Sequence, residues 1–425
     1  MLITKTTSGQ FVFNGQLIER GEYRHGYGSA IDKEADPAAF ISQRLRLEGS
    51  YKLSKLTFYT SIQDVRTWGS TSQLNISDNA FSLHEAWAHI QLDTNFSLKV
   101  GRQELVYDNS RFLGNVDWAL QGRSHDFALL KWVRKNTKID IGAGYNQDGE
   151  ALSGNILTVT NQYKTALLFR VEQKLGNFDF SFLVWNDGRQ YTKKDSVGNV
   201  TDDEIRYSLT IGLPTIRYKL NNTTFSGSFY NQSGKDVKNN TISAIEAGLQ
   251  VAHVFKFNES KGTQLKITLG GEYLSGTASD NTSTTNNSFA PLYGTNHMHN
   301  GYMDQFYVAG RHENSVGLID GYLKFKYDFS SSAFIGINGN MFNAANEVYN
   351  TTGKMDSYLG TEIDFTAGYV LDKSISFQLG YSQMFGTATI QHLQKAKNPD
   401  SVQNWAYLML IIRPNSDKKF IGLYN

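Results

Sequence analysis

The stretch Ile41-Ser42-Gln43-Arg44-Leu45-Arg46-Leu47-Glu48-Gly49-Ser50-Tyr51 sets two chemistries on alternate residues. Leu45, Leu47, Gly49 and Tyr51 share one face of an extended strand, while Ser42, Arg44, Arg46, Glu48 and Ser50 share the other. Such a strand cannot place both faces in a dry core, because two arginines and a glutamate would lose their water. The arrangement suits a wall with an apolar medium on one side and water on the other.

Working outward, the same alternation recurs in segments of about ten residues, the length a tilted strand needs to cross a bilayer. Leu265, Ile267, Leu269 and Tyr273 alternate with Lys266, Thr268 and Glu272; Phe377, Leu379, Tyr381 and Phe385 oppose Ser376, Gln378 and Ser382. The pattern predicts eighteen strands, at 11–25, 40–52, 56–67, 81–92, 96–106, 125–134, 137–147, 163–174, 177–188, 204–220, 223–232, 242–257, 262–275, 315–329, 333–342, 358–371, 375–385 and 404–413. Short turns such as Leu53-Ser54-Lys55 and Asp93-Thr94-Asn95 alternate with long links near 26–39, 68–80, 107–124, 148–162, 189–203, 233–241, 276–314, 343–357 and 386–403. Periplasmic turns and extracellular loops produce this alternation, and an even strand count puts both termini on the periplasmic side. Pro214 lacks a ladder donor where the pattern changes phase between Leu213 and Ile216, so a bulge or kink is expected there.

The fold class expected is therefore all-β: a transmembrane antiparallel barrel spanning 1–425 as one domain, with 276–314 as a candidate plug or docking loop and 415–425 as a tail. Composition agrees, with 26 Phe, 23 Tyr, 6 Trp and 38 Gly against 5 Pro and no Cys. A closed ladder has no edge that a disulfide would need to protect. No repeat of about 40–50 residues marks a propeller. No apolar run approaches the roughly 20 residues of a spanning helix, which is no test of a barrel. Met1-Leu2-Ile3-Thr4-Lys5-Thr6 carries no signal-peptide core, so export to the bacterial outer membrane is expected to rest on a leader outside these residues. Forty-one basic and forty acidic residues nearly cancel and leave no field that argues for nucleic acid. The partners expected are membrane lipid, anionic or polar solutes or polysaccharide, and an outer-membrane protein as a candidate.

The densest chemistry lies at Gly101-Arg102-Gln103-Glu104-Leu105-Val106-Tyr107, continuing through Arg111, Asp117-Trp118 and Gln121-Gly122-Arg123-Ser124-His125-Asp126. Guanidinium groups offer forked donors that match carboxylates on a ligand or on the protein. One reading pairs Arg102, Arg111 and Arg123 with Glu104, Asp117 and Asp126 to hold an inward-folded loop. The other places arginines against a permeating anion. Arg44, Arg46, Arg102, Arg111 and Arg123 are the residues expected at the constriction.

This stretch resembles the alginate-export outer-membrane porins, particularly their Bacteroidetes homologues. Phe13-Asn14-Gly15 to Glu22-Tyr23-Arg24 and Phe289-Ala290-Pro291-Leu292-Tyr293-Gly294-Thr295-Asn296-His297, continuing to Asn300-Gly301-Tyr302-Met303-Asp304, also resemble them. The resemblance implies an eighteen-stranded monomeric barrel whose arginine- and lysine-lined pore passes an anionic polysaccharide. The residues expected to face inward are more mixed. Arg20, Arg24, Arg44, Arg46, Arg170, Lys266, Lys324 and Lys326 stand against Glu22, Glu48, Glu172, Glu246, Glu272, Asp320, Glu362 and Asp364. Separated basic and acidic walls fit this set as well as a uniformly basic lumen.

His297-Met298-His299 reads as loop structure, since two histidines at i and i+2 lack a third placed ligand. No metal and no cofactor are expected. Ser124-His125-Asp126 cannot form a triad by adjacency, because neighbours on a strand point to opposite faces, so no catalytic residue is expected. The first functional expectation is a porin for anionic or polar solutes such as oligosaccharides or uronates. The second is a plugged barrel within a secretion or surface complex, using Tyr293, His297, Tyr302, Asp304, Phe306 and Tyr307 of the long loop.

Overall fold

The computed structural model describes residues 9–423, apart from 75–76, 78, 199, 307–314, 401, 415 and 417; Tyr307 lies outside the described residues. Eighteen long strands run antiparallel in chain order. They are β1 Gln10–His25, β2 Ala38–Leu53, β3 Leu56–Thr67, β4 Phe81–Gln91, β5 Phe96–Gln103, β6 His125–Arg134, β7 Thr137–Tyr145, β8 Thr165–Leu175 and β9 Phe178–Lys194. The second half comprises β10 Val200–Leu220, β11 Thr223–Lys235, β12 Thr241–Asn258, β13 Thr263–Leu274, β14 Leu318–Ser330, β15 Ala333–Asn343, β16 Tyr358–Val370, β17 Ile375–Gly386 and β18 Gln403–Ile412. β18 pairs with β1 from Leu17↔Ile412 to His25↔Asn404, which closes the barrel. Among the described residues the one α-helix, α1 at Ala388–Leu393, lies in a loop, and no described helix is long and apolar enough to cross a membrane.

The alternation seen in β2 holds in three dimensions. Leu45 is 39% exposed on the outer face, whereas Arg44 beside it is 0% exposed. In water this would be inverted; it is the stable arrangement only if lipid surrounds the barrel, where an outward-facing arginine at mid-depth costs about 2–4 kcal/mol. Phe58, Val100, Leu249, Leu269, Leu323, Ile363 and Leu408 continue the apolar outer surface.

Inward-facing glycines make room for large rings. Gly212 and Gly380 stand beside Tyr230 and Tyr407, and a methyl group at either would overlap the neighbouring phenol. At Pro214 the register of β10 slips against both neighbours, between Leu213 and Ile216 on one side and Gly212 and Thr215 on the other, as expected for a residue without an N–H.

Two departures from the expected strands bear on the lumen and its rim. The link expected at 189–203 is mostly strand, because Arg189↔Arg206, Tyr191↔Glu204 and Val200↔Lys194 extend β9 and β10 as a ribbon. Its polar sequence hid it, since a ribbon beyond the membrane has no apolar face to alternate. The strand expected at 96–106 stops at Gln103, where the chain turns into the lumen.

Candidate functional site

Two charged stretches of the lumen wall meet the inward loops. On one side β1 and β2 present Arg20, Arg44 and Arg46, joined by Arg413 just beyond β18. The loop 104–124 folds inward and brings acceptors to this wall. Arg44 Nη1 donates to Asp117 Oδ1 at 2.7 Å and to the Leu120 carbonyl at 2.6 Å, and Arg44 Nη2 donates to Gln16 Oε1 at 2.8 Å. Arg413 Nη2 reaches Asp117 Oδ2 at 3.1 Å. Arg20 donates to the Trp118 carbonyl at 2.6 Å and lies 4.4 Å from the centre of that indole. Burial alone would raise the Asp117 carboxyl, but Arg44 and Arg413, with Arg46 behind them, outweigh it and hold the group well below the usual carboxylate range.

The second wall gathers five carboxylates, Glu246, Glu272, Asp320, Glu362 and Asp364, on β12, β13, β14 and β16, with Lys266, Lys324 and Lys326 further along β13 and β14. Here the loops supply donors. Arg111 Nη2 donates to Glu272 Oε2 at 2.7 Å and to Asn300 Oδ1 at 2.9 Å. The Asn300 amide donates onward to Glu272 at 2.8 Å and Asp320 at 3.2 Å, and the Met303 N–H donates to Glu362 Oε1 at 2.9 Å. Gly301, with φ +84°, sits so close to the Glu362 carboxylate that a side chain would collide with it. Acceptors thus meet the basic wall and donors meet the acidic one, which fixes how the loops seat.

The two loops also hold each other. Gly114 N donates to the Tyr293 carbonyl at 2.9 Å, Thr295 N to the Ser110 carbonyl at 2.8 Å, and Arg123 Nη1 to the Gly294 carbonyl at 3.0 Å. Trp118 and His297 stack with centroids 4.1 Å apart and planes 7° from parallel. His297 Nδ1 lies 3.0 Å from Asp304 Oδ2, which also accepts from the Tyr27 hydroxyl. Tyr293 donates its hydroxyl to Asp187 on β9. Burial, reinforced by the Asp187 charge, raises the Tyr293 phenol, so it remains a donor; burial lowers the Arg123 guanidinium to about 10, still charged at neutral pH.

Below this junction, toward the short-turn end, a cavity of ≈ 540 Å³ runs from Ser331 up to Trp118 and Tyr302. Its charged lining consists of Lys266, Lys324, Lys326, Arg413, Lys418 and Lys419 against one carboxylate, Asp117. Lys326 lies 3.1 Å from Asp328, and Lys324 Nζ sits 4.2 Å from the centre of the Tyr322 ring. Cations thus outnumber carboxylates six to one in its lining.

The profile of the alginate export family matches residues 11–309. The chain belongs to that family. No curated protein matches it. Solved structures of similar fold include OpdQ of Pseudomonas aeruginosa, at TM-score 0.59 and 9% identity, covering 95% of this chain and 97% of that one. OccD3 (OpdP) of the same organism aligns at TM-score 0.55 and 12% identity, covering 94% and 91%. A BenF-like porin of Pseudomonas fluorescens Pf-5 aligns at TM-score 0.56 and 10% identity, covering 95% and 98%. The protein is a porin-type β-barrel channel of the bacterial outer membrane.

Within this alginate export family barrel, the five arginines singled out from sequence do not form one ring. Arg44, Arg111 and Arg123 each bind loop or wall acceptors, and Arg46 donates twice to Gln63, at 2.9 and 2.7 Å. Arg102 shares the parity of the exposed Val100, opposite to the fully buried Gln103, and pairs with exposed Asp126 at 3.0 Å. It therefore faces away from the lumen. Tyr293, His297, Tyr302 and Asp304 are all buried within the barrel. Of the pairing expected from sequence, Arg102 does meet Asp126, but Asp117 binds Arg44 and Arg413, while Arg111 crosses to Glu272.

Sequence reading also missed His84. A bulge on β4 pairs Ser61 with Glu85 and Ile62 with Leu83, and the extra residue, His84, is buried with Nε2 2.9 Å from Glu104 Oε1. His84, Glu85 and Glu104 are the only trio of metal-capable side chains gathered among the described residues. Their oxygens already accept from Asn115, Trp87 and the Glu104 N–H. Arg413, Lys418 and Lys419 were likewise missed, because nothing in a tail sequence signals its return into a lumen.

Proposed function

We propose that the barrel passes anionic solutes, from small carboxylates to uronic-acid oligosaccharides, through the lysine-lined vestibule. The observation that carries this is the lining itself, six cations against Asp117. Elsewhere in the lumen, Arg44, Arg111 and Arg123 hold the inward loops, Arg46 binds Gln63, and Arg111, Asn300 and Met303 donate to Glu272, Asp320 and Glu362. A conducting site must bind weakly enough to release. Lysines spread over the walls of an aqueous cavity meet that need better than a desolvated arginine clamp, since ammonium groups are compact, hydrated and mobile.

The buried positions of Tyr293, His297, Tyr302 and Asp304 support a lumenal plug and leave none of the four free for docking. The test is the reversal potential of purified protein in planar bilayers under a potassium chloride gradient. Anion preference is expected; clear cation preference would end the proposal.

A further inference from the structure

Beyond β18 the chain does not hang free; it turns back into the barrel. Ser376 Oγ on β17 donates to the Lys419 carbonyl at 2.5 Å. Two residues along the same inward face, the Gln378 carboxamide pairs with both backbone groups of Ile421. Its Nε2 donates to the Ile421 carbonyl at 2.9 Å, and its Oε1 accepts from the Ile421 N–H at 3.0 Å. Phe420 meets Phe334 edge-on at 5.0 Å, and Ile421 is 3% exposed. Gly422, with φ +68°, lies against the Trp118 indole and the His297 ring, so closely that any side chain would overlap the indole.

These contacts have the form of a ligand in a receptor. A side-chain amide that satisfies both polar groups of one residue reads an extended chain as a neighbouring strand would. The ring contacts then fix its depth. The place it reaches is the junction of the two inward loops, and residues 418–423 themselves line the vestibule.

We propose that the wall formed by Ser376, Gln378, Phe334 and Trp118 is a binding site for an extended hydrogen-bonding chain, occupied at rest by the protein's own Lys418–Leu423. The solute competes with this resident segment and displaces it to pass. The inference rests on the porin reading above. The class of competitor follows from the same surface: an amide and a hydroxyl for sugar hydroxyls, an indole for the C–H face of a ring, and lysines for carboxylates, which together fit an anionic oligosaccharide. Because the segment is tethered a few residues from β18, its effective concentration at the site is on the order of millimolar, so a solute of equal intrinsic affinity must reach comparable levels to compete.

The experiment compares the full chain with one truncated after Pro414, which keeps the Arg413 contacts, in planar bilayers with trigalacturonate as the probe. Truncation is expected to raise single-channel conductance several-fold and to tighten block by trigalacturonate about tenfold, as when a competitor holding nine-tenths of the sites is removed. A second variant, Gln378→Ala in the full chain, guards against misfolding of the truncated form and should move both readouts the same way. The sequence contains no cysteine. Ile421→Cys is therefore a sole thiol, whose labelling by an impermeant maleimide should be slow in the full chain and fast when Gln378→Ala is added. Equal conductance and equal block in full and truncated chains would overturn the resident-segment proposal alone. Silence of both in bilayers would overturn the porin reading and this proposal with it.

Discussion

Arg44 and Asp117, from β2 and from the inward loop, are joined at 2.7 Å inside the barrel, and the second Asp117 oxygen is taken by Arg413 at 3.1 Å. One loop carboxylate thus neutralises two buried guanidinium groups from opposite sides of the β1–β18 closure. Removing it leaves both without an ionic partner. Asp117→Asn is expected to destabilise the seated loop by about 3–5 kcal/mol, the cost of an uncompensated buried charge. Faster cleavage of residues 104–124 in limited proteolysis, with the barrel still migrating as a folded, heat-modifiable band, checks this.

The same pair sets a pH dependence. The Asp117 carboxyl is held below its unfolded value, near 4, so its contribution is fully present above about pH 4–5 and is lost as pH falls toward the depressed folded value. The difference in loop protection between wild type and Asp117→Asn should be flat from pH 8 to 5 and shrink below about 4. A difference that faded between pH 8 and 6 would contradict the assignment.

Trp118 is the point where both loops and Arg20 meet. Trp118→Ala removes the stack on His297 and opens space where the two inward loops meet, a change of about 3–5 kcal/mol for a buried tryptophan. The expected result is larger and noisier single-channel current with an unchanged strand signature in circular dichroism.

The vestibule lysines are predicted to set selectivity without holding the fold. Lys266→Glu with Lys324→Glu should shift the reversal potential toward cation preference, and the shift should weaken from 0.1 to 1 M salt as the screening length falls from about 10 to about 3 Å. Constant selectivity across that range would point to steric rather than electrostatic filtering.

Gly380 tests the packing of the inner face. A methyl group there would overlap the Tyr407 ring, whose hydroxyl accepts from Gln378 at 2.8 Å. Gly380→Ala is expected to cost about 1–3 kcal/mol, read as a lower unfolding temperature in detergent. The outward-facing Ala367, opposite Leu379 in the same ladder, offers a control, Ala367→Leu, expected to be near neutral.

The sequence by itself determined the number of strands, which face of most of them meets lipid, the alternation of short turns with longer connections, and the bulge at Pro214; Arg102 and His84, beside a strand end and a second bulge, escaped it. The features it determined rest on a period of two residues or on the chemistry of one residue, both written locally in the chain. Leu45 and Arg44 show it directly: being neighbours on a strand is enough to send one to lipid and the other to the lumen. Tertiary structure alone decided which charges meet. Arg111 and Glu272 are 161 residues apart, and Arg413 and Asp117 are 296 apart, so no spacing predicts either pair. It also decided how the inward charges sort, with Arg20 and Arg24 against Glu22, Arg170 against Glu172, and five carboxylates gathered across β12 to β16, because position around a closed barrel depends on strand order and register together. The inward return of 413–423 belongs to the same class, since its receptor is assembled from β17, β15 and two loops only after the barrel has closed.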